Sequence, residues 1–261
     1  MKTHILVTGA TGQLGKTIES LYHVNNYNWV FIFISKKELD ITSPIAIARL
    51  FDKHSFQYCI NCAAYTNVEG AEKDPEAAFE VNATGAKNLA WQCRKSGTIL
   101  IHISTDYVFD GEKSTPYTID DATNPINQYG LSKLEGEKNV QDILDNFYII
   151  RTSWLYSKKY GKNFYRFILD QAHQGNNISI TTDQVGCPTD TEDLANYIIE
   201  VIILKKPRFG IYHFCGSDSK TWYEFANQIL KENHLEKKIE LAPVDYYKTL
   251  AKRPKYSVLA I

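Results

Sequence analysis

Short apolar runs alternate with helical patterns along the first 152 residues, and no other feature constrains the fold of this 261-residue chain as strongly. Runs rich in β-branched and aromatic residues predict strands, whereas apolar residues at every third or fourth position predict helices. Strands that are continuously apolar are buried on both faces, and intervening helices imply right-handed parallel connections. The pattern therefore predicts a doubly wound parallel α/β sheet.

The predicted elements follow one another with short connections. The strands are His4–Thr8, Trp29–Ile34, Phe56–Asn61, Thr98–Ser104, Phe147–Thr152, Ile178–Thr181 and Ile211–Phe214. The helices are Gln13–Val24, Pro44–His54, Asp74–Ser96, Gln128–Leu144, Asn163–Gln174, Glu192–Leu204 and Thr221–His234. The alternation becomes less regular beyond Thr152, which predicts a smaller second unit there.

A glycine-rich turn, Gly9-Ala10-Thr11-Gly12-Gln13-Leu14-Gly15, joins the first strand to the first helix. Glycines allow a close approach of phosphate to the backbone, and the helix that follows offers free N–H groups to a pyrophosphate. This predicts a dinucleotide site and a Rossmann-like sheet, with glycines that serve only packing as the alternative. We therefore predict a dinucleotide-binding domain at residues 1–156, with a returning segment at about 188–215, and a small C-terminal substrate-binding lobe at 157–187 and 216–261.

The end of the second strand bears on the choice of cofactor. Sites for NAD tend to place an Asp or Glu there, against the ribose 2′-hydroxyl. Here the strand is followed by Ser35-Lys36-Lys37 without a carboxylate, and the lysines either meet a 2′-phosphate or are solvated surface charges. We therefore expect NADPH, with NADH as the alternative.

Tyr129 and Lys133 stand four residues apart in a predicted helix, so both lie on one face of it. A nearby ammonium stabilises a phenolate, which predicts a lowered pKa for Tyr129 and a role in proton transfer. The segment Ser104–Tyr107 closes the fourth strand, at the edge where open α/β sheets bind ligands. A hydroxyl there, the Tyr–Lys pair and the glycine turn together predict hydride transfer to or from a carbonyl. The alternative, a surface position for the pair, leaves this combination unexplained.

Composition excludes several other classes of protein. Lys and Arg number 29 and Asp and Glu 30, so the chain lacks the basic excess of a nucleic-acid binder. The longest apolar runs fall short of the roughly 20 residues that cross a membrane. Five cysteines, an odd number, and the absence of a signal peptide predict free thiols and a cytoplasmic protein. Cys59 and Cys62 lack a second C-x-x-C pair, so buried thiols and no metal site are expected.

Seven segments carry a family resemblance. They are Gly9–Gly15, Asn61–Thr66, Ser104–Gly111, Tyr129–Lys133, Arg151–Trp154, Asp183–Thr189 and Arg253-Pro254. The chain resembles the extended short-chain dehydrogenase/reductases and, among them, the dTDP-4-dehydrorhamnose reductase family. The resemblance implies NAD(P)H-dependent reduction of the 4-keto group of a dTDP-6-deoxy-hexulose, a nucleotide-sugar substrate.

The glycine turn, the second strand and the resemblance together assign roles to individual residues. By the resemblance, Thr105 and Tyr129 hold the keto oxygen, Tyr129 delivers the proton, and Lys133 binds the nicotinamide ribose. The cofactor is expected against Gly9, Gly12, Gln13, Leu14, Gly15, Ser35, Lys36, Asp40, Ile41, Ala63, Ala64, Tyr65, Tyr129 and Lys133. The sugar is expected against Thr66, Val68, Thr105, Asp106, Tyr129 and Trp154, with core packing as the alternative for the tryptophan. Candidates for contact with the nucleotide diphosphate are Arg166, Arg208 and Arg253.

The resemblance leaves three matters open. Lys16 and Thr17 follow the glycine turn, where metal-linked family dimers carry a glutamate, so we expect a monomer or a weak homodimer. Another nucleotide-linked 4-keto sugar is an alternative substrate. A non-catalytic, cofactor-binding regulatory subunit is the alternative outside catalysis, and the intact Thr105, Tyr129 and Lys133 argue against it.

Overall fold

The computed structural model describes residues 2–23 and 29–261 and is built on a six-stranded parallel sheet. The strands are β1 (Thr3–Thr8), β2 (Trp29–Ile34), β3 (Tyr58–Asn61), β4 (Ile99–Thr105), β5 (Phe147–Thr152), β6 (Leu155–Tyr156), β7 (Ile178–Thr181), β8 (Val185–Gly186), β9 (Thr189–Asp190), β10 (Gly210–His213), β11 (Lys220–Thr221) and β12 (Leu241–Val244). The α-helices are α1 (Gln13–Tyr22), α2 (Pro44–Lys53), α3 (Val68–Lys73), α4 (Pro75–Phe79), α5 (Gly85–Ser96), α6 (Gln128–Ile143), α7 (Phe164–Gln174), α8 (Thr191–Asn196) and α9 (Trp222–Glu232).

The central sheet has the strand order β10-β5-β4-β3-β1-β2, and all its neighbouring strands run parallel. β1 lies between β2 and β3, so the winding of the sheet reverses there and the loops after β1 and β3 diverge. Such a switch point is where open α/β sheets bind ligands. The predicted doubly wound parallel sheet is confirmed.

Both faces of the sheet are covered by apolar layers, which explains why its strands read as continuous apolar runs. On one face, Leu6, Leu100 and Ile149 pack with α2, α5 and α6. On the other, Ile5 and Ile101 pack with α1, α8 and the π-helical segment at 197–205. The switch point of the sheet is therefore held in place by an apolar core on each face.

Two smaller apolar clusters lie outside the sheet. One joins α7, β7 and α9 through buried residues such as Ile168, Phe225 and Ile229. The other joins Phe109 and the segment near Val258, so residues 258 and 259 pack against the segment that follows β4. The domain boundaries given above remain a prediction.

One long predicted helix, Asp74–Ser96, is interrupted. It consists of α4, a π-helical turn at Glu80–Thr84, and α5. The turn directs the Asn82 side chain toward the backbone of Tyr65. Asn82 Oδ1 accepts from the Tyr65 N–H at 2.8 Å, and Asn82 Nδ2 donates to the Tyr65 carbonyl at 3.0 Å. Asn82 Nδ2 also donates to Ser132 Oγ at 2.9 Å. A π-helical insertion of this kind is frequent at functional sites.

Several other elements differ from the prediction. Short α3 and the short strands β6, β8, β9, β11 and β12 were not predicted, and the predicted helix Glu192–Leu204 is α-helical only as far as Asn196 and π-helical beyond it. Most other ends differ by one or two residues, and Val24, the predicted end of the first helix, lies outside the described residues. Within residues 2–23 and 29–261, no helix is long and apolar enough to cross a membrane.

Candidate active site

The glycine turn leaves the start of α1 open to an anion. Gly9 has φ +65°, and a Cβ there would lie 2.6 Å from the backbone nitrogen of Ala63, so the turn packs directly on the end of β3. Gly12 caps α1 without a side-chain hydrogen bond, and the first turn of the helix has no acidic residue. By contrast, the side chains of Ser43, Asn127, Asn163 and Thr221 cap α2, α6, α7 and α9. The free N–H groups and the helix dipole fit a pyrophosphate.

Two adjoining cavities collect almost all the predicted site residues. A main cavity of about 460 Å³ is lined by Gly12, Gln13, Leu14, Gly15, Ala64, Thr66, Val68, Thr105, Asp106, Tyr129, Lys133 and Trp154, among others. A second groove, of about 260 Å³, is lined by Gly9, Gly12, Lys36, Asp40, Ile41, Ala63, Ala64 and Tyr65, among others. Gly12 and Ala64 line both, so the cavities meet at the glycine turn.

Ser35 lines neither cavity, because its side chain is turned to a neighbouring carboxylate. Glu38 accepts hydrogen bonds from the Ser35 N–H at 2.9 Å and from its hydroxyl at 2.6 Å. Both bonds hold the pKa of Glu38 below its usual value. A carboxylate is therefore present just beyond β2, although the sequence indicated none at that end. The groove itself is lined by Lys36 and not by Glu38, in agreement with the expectation of NADPH, with NADH as the alternative.

Tyr129 lies in the first turn of α6, next to Thr105 at the end of β4. Its ring packs edge-on against Tyr107, with centroids 5.9 Å apart, and its hydroxyl hydrogen-bonds with that of Thr105. Burial raises the pKa of Tyr129, and the bond to Thr105 opposes this only in part. The predicted lowering of this pKa by Lys133 is wrong, because loss of hydration dominates.

Lys133 is buried one turn further along α6, with 2% of its surface exposed. Its ammonium donates to the Ile103 carbonyl at 2.6 Å. Burial lowers the pKa of Lys133 to about 8, while the negative charge of Glu137 opposes the shift. Glu137 is itself buried and pairs with Arg151 at 2.7 Å. The buried carboxylate of Glu137 therefore favours the charged form of Lys133.

Asp106 orients the hydroxyl of Thr105. Its carboxylate accepts from Thr105 Oγ1 at 3.0 Å and from Ser153 Oγ at 2.9 Å. Burial raises the pKa of Asp106 to about 6, and the hydroxyls of Ser257, Ser153 and Thr105 oppose the shift. Because the Thr105 proton points to Asp106, Thr105 must redirect that proton if it is to donate to a keto oxygen.

The three arginines proposed from the sequence do not line the main cavity. Arg166 donates to two carbonyls of the loop before α7, Arg208 borders a groove beside β10, and Arg253 pairs with Glu69 at 2.9 Å. Lys162, which the sequence gave no reason to single out, does line the cavity. Its loop is anchored on the glycine turn, because the Asn163 amide donates to Gln13 Oε1 at 3.1 Å.

Trp154 lies in the cavity wall and is stacked on a second tryptophan, Trp222, which also lines the cavity. Sequence reasoning missed Trp222. It lies far along the chain from Trp154, and at the start of an amphipathic helix it has the pattern of an ordinary core residue. Only the folded lobe brings the two rings together.

A glycine turn at the switch point of a parallel sheet, with Thr, Tyr and Lys at the neighbouring strand end and helix, defines a short-chain dehydrogenase/reductase. The sequence model of the RmlD substrate binding domain family matches residues 2–261. The chain belongs to this family, and the resemblance described from its motifs is confirmed.

Individual relatives agree over nearly their whole length. The dTDP-4-dehydrorhamnose reductase of Aggregatibacter actinomycetemcomitans is 37% identical over 265 residues, which cover 98% of this chain and 90% of that protein. The dTDP-4-keto-6-deoxy-D-glucose reductase of Streptomyces niveus is 36% identical over 256 residues, covering 97% and 87%. A crystal structure of dTDP-4-dehydrorhamnose reductase from Bacillus anthracis in complex with NADP has a TM-score of 0.94 at 36% identity, covering 100% of this chain and 91% of that one.

Proposed function

We propose that the chain is an NAD(P)H-dependent oxidoreductase that reduces the 4-keto group of a dTDP-6-deoxy-hexulose, converting dTDP-4-dehydrorhamnose to dTDP-L-rhamnose. The observation that carries the proposal is the convergence of Thr105, Tyr129 and Lys133 on one cavity that also contains the glycine turn. Relatives named for this reaction, and one crystallised with NADP, support it.

The cofactor would extend across both cavities. Its pyrophosphate would bind the first-turn N–H groups of α1 near Gln13, and its adenosine would occupy the groove between Asp40, Ile41 and Ala63. Lys133 would reach the nicotinamide ribose. When bound, the nicotinamide supplies a hydride to the carbonyl carbon of the sugar.

Tyr129 would supply the proton. Its raised pKa keeps the phenol protonated at neutral pH, as a general acid must be. As the carbonyl is reduced, its oxygen gains negative charge, and the phenol gives its proton to that oxygen. Thr105 donates a second hydrogen bond to the same oxygen, and the charge of Lys133 stabilises the phenolate that remains.

Lys162 would contact the diphosphate of the nucleotide sugar. In the part of the chain that the structure describes, the main cavity has two cationic residues in its lining, Lys133 and Lys162. Lys133 is buried and bonded to a carbonyl, whereas Lys162 is exposed. A diphosphate is strongly anionic, and an exposed ammonium at the cavity wall is suited to it.

We propose a cytoplasmic location from the sequence and from the state of the thiols. All five cysteines are free and four are buried, which suits the reducing conditions of the cytoplasm. The oligomeric state expected from the sequence, a monomer or a weak homodimer, stays a prediction.

The direct test is the oxidation of NADPH and, in parallel, of NADH by purified protein supplied with dTDP-4-dehydrorhamnose. Formation of dTDP-L-rhamnose is expected. Turnover only with another nucleotide-linked keto sugar would identify that sugar as the substrate instead. No turnover with any such sugar, together with capture of a stoichiometric partner, would favour the regulatory-subunit alternative.

Tyr129→Phe tests the proton donor. Because the ring remains, we expect the Kd for NADP to stay the same while kcat falls about a hundred- to ten-thousand-fold, the usual contribution of a general acid. Tyr246→Phe, at an exposed tyrosine, is the matched control. An unchanged kcat in the Tyr129 variant would exclude this residue as the donor.

A further inference from the structure

Trp154 adopts a backbone conformation that residues other than glycine rarely take. Its φ is +45°, in the left-handed region, where a bulky side chain is strained. Its indole lies against Gly186, where an added Cβ would come within 2.5 Å of the ring. The strained backbone and the glycine together bring the ring to the wall of the main cavity. Strain of this kind persists only where the surroundings hold the residue in place.

Trp222 is the neighbour that holds the Trp154 ring. The two indoles are stacked, with centroids 3.4 Å apart and planes 4° from parallel. Trp222 is itself fixed, since its indole N–H donates to Gln184 Oε1 at 3.1 Å and its ring packs on Phe164 at 4.5 Å. A capping box at Thr221 fixes its backbone at the first position of α9.

The register of the substrate-binding lobe places these groups together. β8 and β11 pair antiparallel, with Gly186 opposite Lys220 and Val185 opposite Thr221. Trp222 follows β11 directly, so the strand that supplies the glycine beneath Trp154 also positions the second indole. The pair of rings is thus a built feature of the cavity wall.

We propose that Trp222 is a positioning residue that fixes the Trp154 indole in the cavity and thereby sets how tightly the protein holds the hexose of its nucleotide sugar. The inference rests on the proposed function, because it takes Trp154 as a contact of the sugar. An aromatic wall suits the apolar C–H face of a pyranose, while Thr105, Asp106 and Tyr129 offer hydrogen bonds to its oxygens.

A purely structural role for Trp222 is the competing explanation, since its ring also packs on the α7–α9 cluster. Phe225 provides the matched control. It is buried in the same cluster and contacts Tyr156 and Phe164, but it does not line the main cavity. Loss of the Phe225 ring therefore weakens the lobe without removing the stack on Trp154.

Binding to the NADP-loaded protein separates the two roles, measured by calorimetry with dTDP and with dTDP-L-rhamnose. Trp222→Leu is expected to raise the Kd for dTDP-L-rhamnose about three- to tenfold, the worth of an aromatic pair, and to leave the Kd for dTDP unchanged. Trp222→Phe should recover part of the loss. Phe225→Leu should leave the ratio of the two Kd values at its wild-type value.

A double-mutant cycle tests whether Trp222 acts through Trp154. In a Trp154→Leu background, adding Trp222→Leu should cost little more sugar affinity. A full additional loss, or an equal loss of dTDP affinity in Trp222→Leu, would overturn the proposal. If the wild-type protein itself binds dTDP-L-rhamnose no more tightly than dTDP, the proposed substrate fails, and that result is distinct from a failure of Trp222 alone.

Discussion

Lys133 and Asp106 are buried, Tyr129 is partly buried, and each has a pKa shifted toward its neutral form. The shifts matter because they fix which group carries a proton near neutral pH. Tyr129 keeps its proton, Lys133 is largely charged below its pKa of about 8, and Asp106 is largely ionised above its pKa of about 6. Between these two values the site holds a protonated phenol, an ammonium and a carboxylate together.

Lys162 can be separated from the cofactor by experiment. Because its charge is exposed, Lys162→Gln should raise the Kd of NADP-loaded protein for dTDP about three- to tenfold and should weaken the dependence of that Kd on salt. The Kd for NADPH itself should not change. If the NADPH affinity falls instead, Lys162 serves the diphosphate of the cofactor. Lys158→Gln, at a nearby exposed lysine, is the control.

Helix α6 carries the ionisable part of the site on one face. Tyr129, Lys133 and Glu137 follow one another at intervals of four residues, so all three point toward β4 and β5. Glu137 accepts from the Ser104 hydroxyl at 2.5 Å and pairs with Arg151, which anchors the helix to both strands. The same carboxylate that fixes α6 also favours the charged form of Lys133.

Glu137→Gln should therefore change both stability and pH dependence. Leaving Arg151 unpaired in the core is expected to cost about 3–5 kcal/mol of unfolding free energy, measured by urea titration. In the wild-type protein we expect kcat/KM to fall as pH rises through about 8, because Lys133 then loses its charge. In the variant Lys133 also loses the carboxylate charge that raises its pKa, so the fall in kcat/KM should occur at a lower pH.

The double variant Glu137→Gln/Arg151→Met is the control for this prediction. It removes the carboxylate without leaving a buried unpaired charge, so much of the stability should return while the shifted pH profile remains. A wild-type pH profile in the double variant would show that Glu137 has no influence on Lys133.

The same elements show what the sequence could and could not predict. The α6 pattern, the strands and the glycine turn have local signatures, so their positions followed from them, whereas most other residues of the two cavities were predicted from the family resemblance. The π-helical turn at Glu80–Thr84 does not, because one inserted residue barely alters the apolar period and is stabilised by Asn82 contacts to distant backbone. Trp222 was missed for the related reason that tertiary contacts, rather than spacing, bring it to the cavity wall.

Residues 249–261, here called the C-terminal segment, connect parts of the molecule that are far apart in the chain. Glu69 in α3 accepts from the Leu250 N–H at 2.8 Å and pairs with Arg253. Further on, the backbone of Tyr117 bonds to Val258 and Ala260 at 2.8 Å each. Arg253 also reaches the hydroxyl of Tyr107 at 3.4 Å, behind the ring that packs on Tyr129. The C-terminal segment thus helps to hold Tyr107, and through it the ring of Tyr129, in place.

Arg253→Met should loosen this support. Loss of its bonds to Glu69 and Tyr107 is expected to lower the unfolding free energy by about 1–2 kcal/mol and the Tm by several degrees. Hydrogen exchange at the amides of Tyr117 and Ala260 should become faster. Lys255 forms an exposed ion pair with Asp183 at 3.6 Å, and Lys255→Met should change neither the unfolding free energy nor the exchange rates. Equal behaviour of the two variants would contradict the role given to Arg253.

The return of the C-terminal segment also sets an order of events during synthesis. Residues near the amino terminus leave the ribosome first, and the sheet strands β1 to β5 can begin to pair while translation continues. The support beneath Tyr107 and the partners of Tyr117 emerge more than a hundred residues later. A nascent chain can therefore build the cofactor site early, but it can complete the strand edge beside Tyr107 only after the C-terminal segment has left the exit tunnel.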